Sequence, residues 1–111
     1  MEVPTESIEQ RRKMAIIDEY HFLCMQVVPH LRSMLNTMMP GNIYAVFDEF
    51  KIHFDSLFLL TSNKKGLKED VLNPVKDWIH QEHKSPQEKD MNVGIDLFEK
   101  YKAELFRMEV L

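Results

Sequence analysis

The chain has 111 residues, a length that fits one domain spanning residues 1–111, and 44% of them are hydrophobic. It carries 14 basic and 18 acidic side chains, and this formal charge of −4 argues against general nucleic-acid binding, in which phosphate neutralisation dominates affinity. A single cysteine, Cys24, excludes an internal disulfide, and with no visible signal peptide or transmembrane stretch we expect a cytoplasmic protein without a membrane partner.

The first predicted helix covers residues 7–38. At about 100° per residue, its apolar positions fall within an arc of roughly 140°, which is a wide stripe facing a core. Pro29 interrupts this stripe. Because a proline inside a helix removes one hydrogen bond and crowds the preceding turn, we predict a kink or a break near residues 25–29.

The second predicted helix runs over residues 43–61, with Asn42 as its N-cap. It has two apolar stripes. The inner stripe spans about 120° and is predicted to face the core; it comprises Ile43, Val46, Phe47, Phe50, Phe54, Leu57 and Phe58. The outer stripe lies nearly opposite and recurs every seven residues, at Ala45, Ile52 and Leu59.

The third predicted helix lies within residues 67–83, and Pro74 leaves two alternatives. The helix either starts near Lys68 and bends at Pro74, or, as we slightly favour, a short turn at 67–72 leads into a main helix from residue 74. The fourth has Ser85 as predicted N-cap and Glu88 at the third helical position. Its apolar seam consists of Met91, Gly94, Phe98, Tyr101, Leu105 and Met108. Since strand patterns are weak, the sequence predicts an all-α protein: an antiparallel four-helix bundle with a Pro29-kinked first helix.

Histidines and carboxylates raise the question of a metal site, because both are good ligands for transition metals. Asp77, His80 and His83 recur at three-residue intervals, but helical geometry fans them across the outer surface, which predicts a solvated face. A metal-binding bundle or an enzyme remains an alternative, with its site between the first two helices, around the residues His21, Glu49 and His53. No catalytic residue, cofactor or small-molecule substrate is otherwise evident.

Two short basic clusters are present, one at residues 11–13 and one at Lys64 and Lys65. No aromatic side chains are interleaved with them, as they often are in nucleic-acid sites. We therefore interpret both as solvated surface. A small DNA-associated accessory regulator is kept as a second alternative.

Apolar side chains outside the predicted core give the main functional hypothesis. Phe22 and Met25 lie about 170° and 130° from the centre of the core stripe of the first helix. Together with the outer stripe of the second helix, they predict a partner-binding surface formed by Phe22, Met25, Ala45, Ile52 and Leu59. In a four-helix bundle no helix is central, so a second apolar face implies either a partner or coverage by a bent first helix. We favour a non-enzymatic interaction, regulatory or adaptor module that binds a second copy of itself or another helical protein.

Overall fold

The computed structural model describes residues 7–37 and 42–111, and these residues fold into α-helices without any strand. The elements are α1 (Ile8–Phe22), a π-helical turn (Leu23–Val27), α2 (Val28–Thr37), α3 (Ile43–Thr61), α4 (Glu69–His80) and α5 (Glu88–Arg107). The prediction of an all-α helical bundle is therefore confirmed. Residue 38, the predicted end of the first helix, lies outside the described residues.

The start of α1 is fixed by a capping box. The Gln10 backbone N–H donates to Ser7 Oγ at 3.1 Å, and the Ser7 backbone N–H donates to Gln10 Oε1 at 3.2 Å. Each bond satisfies an N–H that has no partner within the first helical turn. The predicted beginning of the first helix at residue 7 therefore agrees with the structure to within one residue.

The region before Pro29 departs from regular α-helical bonding without leaving the helical conformation. The π-helical turn Leu23–Val27 ends where the Val28 N–H donates to the Leu23 carbonyl, five residues back. π-Helical bonding is rare in proteins and occurs mostly, as here, as a single turn within an α-helix. The chain stays helical from Ile8 to Thr37 without a break, and a kink at Pro29 stays a prediction.

The inner stripe of α3 forms the centre of the core. Its four phenylalanines are at most 6% exposed, and it contributes seven buried residues: Val46, Phe47, Phe50, Phe54, Leu57, Phe58 and Thr61. Phe50 packs edge-on against Phe98 of α5, with ring centroids 6.1 Å apart, and Phe54 does the same at 5.6 Å. The core face predicted for this helix is thus confirmed, except that Ile43 is only half-buried.

α4 is one helix that begins at Glu69 and contains Pro74, so the favoured main helix from residue 74 is wrong and the alternative start near Lys68 is confirmed to within one residue. The missing N–H of Pro74 removes a single intrahelical bond, the one that would reach the Asp70 carbonyl. Both residues are exposed, so water can bond that carbonyl and the helix tolerates the proline. The start at residue 69 is supported by the Leu72 N–H, which donates to the Lys68 carbonyl at 2.9 Å.

The predicted cap of α5 is displaced by two residues. The helix begins at Glu88, and the backbone N–H of its N-cap, Gln87, donates to Asp90 Oδ2 at 2.8 Å. The capping box formed by Gln87 and Asp90 therefore takes the place of the one predicted for Ser85 and Glu88. The seam prediction is confirmed, with five of its residues buried and the sixth, Met108, half-buried just beyond the helix.

Gly94 allows α5 to approach α4 and α3 closely. A Cβ added at this position would lie 3.1 Å from Phe50 Cε2 and closer still to the six-membered ring of Trp78. This contact explains why glycine is present in the middle of a helix, where it lowers helical stability by about 1 kcal/mol relative to alanine. The close approach expected from the sequence is present.

A buried carboxylate ties the loop between α3 and α4 to α5. Glu104, which is 5% exposed, accepts hydrogen bonds from Arg107 Nε at 2.7 Å and from the Lys68 backbone N–H at 2.9 Å. Arg107 also donates to the Gly66 carbonyl at 2.9 Å. The hydrogen bonds from Arg107 hold the pKa of Glu104 down to about 2, although burial acts in the opposite direction.

Candidate functional site

The outer stripe of α3 is exposed in the folded chain. Ile52 and Leu59 have 67% and 65% of their surface accessible, and Ala45 is exposed on the same side of the helix. Residues seven apart lie almost above one another, so the three side chains form a line along the helix. Within residues 7–37 and 42–111, neither α1 nor α2 covers this line, so the bent first helix considered as an alternative does not hide it.

The two partner-binding residues predicted in the first helical segment, Phe22 and Met25, differ in exposure. Met25, in the π-helical turn, is 73% exposed. Phe22 is only half-buried by its neighbours, because its ring packs against His53 of α3 with centroids 4.6 Å apart. The contact between α1 and α3 therefore covers part of the Phe22 ring, which its angle around the helix axis does not indicate. We call Phe22, Met25, Ala45, Ile52 and Leu59 the association surface.

His53 links α3 to α1 through a hydrogen bond that sequence reasoning missed. Its Nδ1 lies 2.8 Å from Glu19 Oε1, and both side chains are partly buried. The sequence suggested Glu49 as the neighbour of His53, because the two are one turn apart in the same helix. The partner comes instead from α1, 34 residues away, and only the packing of the two helices could identify it.

The alternative metal site is not assembled among residues 7–37 and 42–111. No three histidine, cysteine, aspartate or glutamate side chains in these ranges are grouped so that they could hold an ion. His21 and Glu49 are both exposed, and His53 is engaged with Glu19. The structure therefore does not unite the three residues named for this alternative.

Asp77, His80 and His83, the residues spaced at three-residue intervals, lie in two different environments. Asp77 and His80 are exposed, as predicted for a solvated face. His83 lies beyond the end of α4 and packs on Trp78, with ring centroids 5.1 Å apart, and edge-on against Phe47 at 5.7 Å. The predicted solvated position of His83 is wrong because the chain leaves the helix after His80 and folds back over the aromatic core. Burial lowers the pKa of His83, and the nearby Lys51 ammonium lowers it further.

The two basic clusters meet at one end of the molecule. Arg12 donates through Nε and Nη2 to the Leu60 carbonyl, both at 3.2 Å, and through Nη2 to Asn63 Oδ1 at 3.3 Å. These bonds hold the start of α1 beside the end of α3. A cleft of about 420 Å³ opens there, and its cationic lining is Arg12, Lys13, Lys64 and Lys65. We call it the basic cleft; the sequence placed these residues in two separate patches.

Comparison with known protein families, with curated proteins and with solved structures finds no match for this chain. Across the described ranges, no helix is both long enough and apolar enough to cross a membrane. The surfaces described above are therefore the basis on which we propose a function.

Proposed function

We propose that this chain is a non-enzymatic protein–protein interaction module that associates with a second copy of itself through the association surface. The observation that carries the proposal is the exposure of Ile52 and Leu59, two large aliphatic side chains on one face of α3. Covering such a side chain contributes about 1.5–3 kcal/mol, so water is an unfavourable neighbour for this face.

The spacing of the outer stripe suits a helical partner. Apolar residues that recur every seven positions form a seam against which another helix can pack along its length. A two-fold axis near Ile52 would place Ala45 of one copy opposite Leu59 of the other. A small residue facing a large one is the complementarity that helix packing needs, and a two-fold contact is the commonest form of self-association.

The residues from the first helical segment widen this seam. Met25 is exposed, and a long flexible thioether adapts readily to an irregular partner surface. Phe22 contacts His53, the residue that follows Ile52 in α3, and this contact supports including the side chains of the first helical segment in the surface. Stable interfaces bury about 800 Å² on each partner, which a single line of side chains does not supply, so these neighbours are expected to contribute.

Sedimentation equilibrium over a range of concentrations tests the proposal. We expect a species of twice the 13.2 kDa chain mass. Ile52→Glu would introduce a charge into the apolar seam, and we expect it to raise the dimer dissociation constant at least about tenfold. Far-ultraviolet circular dichroism should show unchanged helicity.

A matched control is available on α5. Val93 is 42% exposed and does not belong to the association surface, so Val93→Glu should leave the dissociation constant unchanged. A chain that sediments at its monomer mass at every concentration would refute self-association. Equal weakening by both substitutions would show that the seam is elsewhere.

A further inference from the structure

The basic cleft has an apolar floor as well as a charged rim. Its apolar lining consists of Ile16, which is 2% exposed, and the half-buried side chains of Met108 and Val110. Among the residues that the structure describes, four cationic side chains outnumber two carboxylates, Glu9 and Glu109, around the opening. This local positive balance contrasts with the net charge of −4 for the whole chain.

The wall of the cleft is built by a well-defined helix ending. The Val110 N–H donates to the Leu105 carbonyl at 2.9 Å, and the Glu109 N–H donates to the Phe106 carbonyl at 3.0 Å. Glu109 adopts φ 58°, the left-handed conformation that this ending requires. The turn directs the chain back across the end of α5, and it is the reason that Val110 reaches the cleft.

The cationic rim is available for a ligand. Arg12 is fixed by its bonds to α3 and its loop, whereas Lys13, Lys64 and Lys65 form no ion pair with any residue in the described ranges. All three lysines are exposed. Their ammonium groups can therefore turn toward an anion without first breaking an existing pair.

We propose that the basic cleft binds a small anionic amphiphile, an aliphatic carboxylate whose chain covers Ile16, Met108 and Val110 while its head group meets the lysines. The volume of about 420 Å³ lies in the range of small-molecule sites, which are mainly apolar with a few placed polar groups. The proposal is independent of self-association, because no residue of the association surface lines the cleft.

The two carboxylates narrow the choice of ligand. Glu9 and Glu109 would repel a multiply charged head group or a polyanion more strongly than a singly charged carboxylate. A nucleic-acid backbone would also leave the apolar floor unused, since its affinity comes from phosphate neutralisation. A ligand with a single carboxylate on an aliphatic chain can pair its charge with the lysines of the rim and cover the apolar floor with its chain.

Titration of the full chain with octanoate, followed by amide chemical shifts, tests the proposal. We expect saturable shifts at Ile16, Lys65 and Val110, with affinity that falls as salt is added. 1-Octanol carries the chain without the charge, and inorganic phosphate carries charge without the chain. Both are expected to bind much more weakly. Equal binding of octanol or of phosphate would overturn the proposal, as would binding of duplex DNA in place of octanoate.

Substitutions at the rim separate the cleft from general charge effects. Lys64→Gln and Lys65→Gln should each weaken octanoate binding about two- to fivefold, the range expected for exposed ion pairs. Glu109→Gln should strengthen binding by a similar factor, because it removes a repelling charge. Lys84→Gln, at an exposed lysine that does not line the cleft, is the control and should change nothing. Equal loss in the control variant, or no loss in either rim variant, would refute the assignment.

Discussion

The two faces of α3 differ in what covers them, although both are apolar. The inner face carries Phe50 and Phe54, which are fully buried against α4 and α5. The outer face carries Ile52 and Leu59, which are about two-thirds exposed. Hydrophobicity alone therefore does not determine burial in this chain. Burial also depends on how many helices are available to cover α3, and these helices cover only one of its sides.

The largest expected effect comes from the inner face. Phe50→Ala should lower the free energy of unfolding by about 3–5 kcal/mol, because it removes a fully buried ring and leaves a cavity. Urea denaturation followed by circular dichroism measures this change. A loss below about 1 kcal/mol would mean that the inner face is loosely packed and that the contrast between the faces is overstated.

A substitution at Gly94 tests how closely α4 and α5 pack against each other and against the inner face of α3. Gly94→Ala should destabilise the protein by about 1–3 kcal/mol, because the added methyl group overlaps the Trp78 ring. Intrinsic helix propensity favours alanine by about 1 kcal/mol and acts in the opposite direction. Asn92→Ala, at an exposed position of the same helix, is the control and should be neutral or slightly stabilising. Stabilisation by Gly94→Ala would show that the helices are further apart than the structure indicates.

Acid should lower the free energy of unfolding of the protein by protonating Glu104, on the buried side of α5. Its pKa falls from 4.5 to about 2 on folding, so the unfolded chain binds more protons between these values. The stabilisation is therefore complete above pH 4.5 and is lost progressively as the pH falls to about 2. Urea midpoints measured across this range should fall for the parent chain.

The matched variants for the acid effect are Glu104→Gln and Asp96→Asn. The first removes the titrating carboxylate, and its midpoints should depend less on pH than those of the parent. The second alters an exposed carboxylate on the same helix and should retain the parent's dependence. An unchanged slope in Glu104→Gln would assign the acid sensitivity to other groups.

The smallest expected effect on folding comes from the outer face. Ile52→Glu should change the free energy of unfolding of the monomer by no more than about 0.5 kcal/mol, because the side chain is largely in water already. Urea denaturation at a concentration where the chain is monomeric measures this. If Ile52→Glu unfolds the monomer, Ile52 belongs to the core and the distinction between the two faces of α3 disappears.

Local patterns predicted the helices better than their boundaries. Four of the six seam residues of α5 illustrate this, because helical spacing alone predicts them and all four are buried: Gly94, Phe98, Tyr101 and Leu105. The start of α5 was misplaced because two overlapping capping patterns, one from Ser85 and one from Gln87, compete within a few residues. Pro74 was read as a boundary because its effect depends on whether the carbonyl it leaves unpaired can reach water.

The residues of the candidate site show the same difference between what local spacing predicts and what contacts between helices decide. Ile52, Leu59 and Met25 could be identified from their angles around the helix axis, and they are exposed as expected. The partial burial of Phe22 could not, because it depends on His53 in another helix. Thr61 was also missed: its hydroxyl pairs with that of Tyr101 across 40 residues, in a setting where burial raises the pKa of Tyr101 to about 12.

By itself the sequence determined which residues share a face of each helix, since that angle follows from a fixed rotation per residue. The two stripes of α3 are the clearest result. The tertiary structure alone decided which of those faces is covered, where His83 docks, and that the clusters around Arg12 and Lys64 border one cleft. Those outcomes depend on contacts between residues distant in the chain, and helical periodicity contains no information about which helix will lie against another.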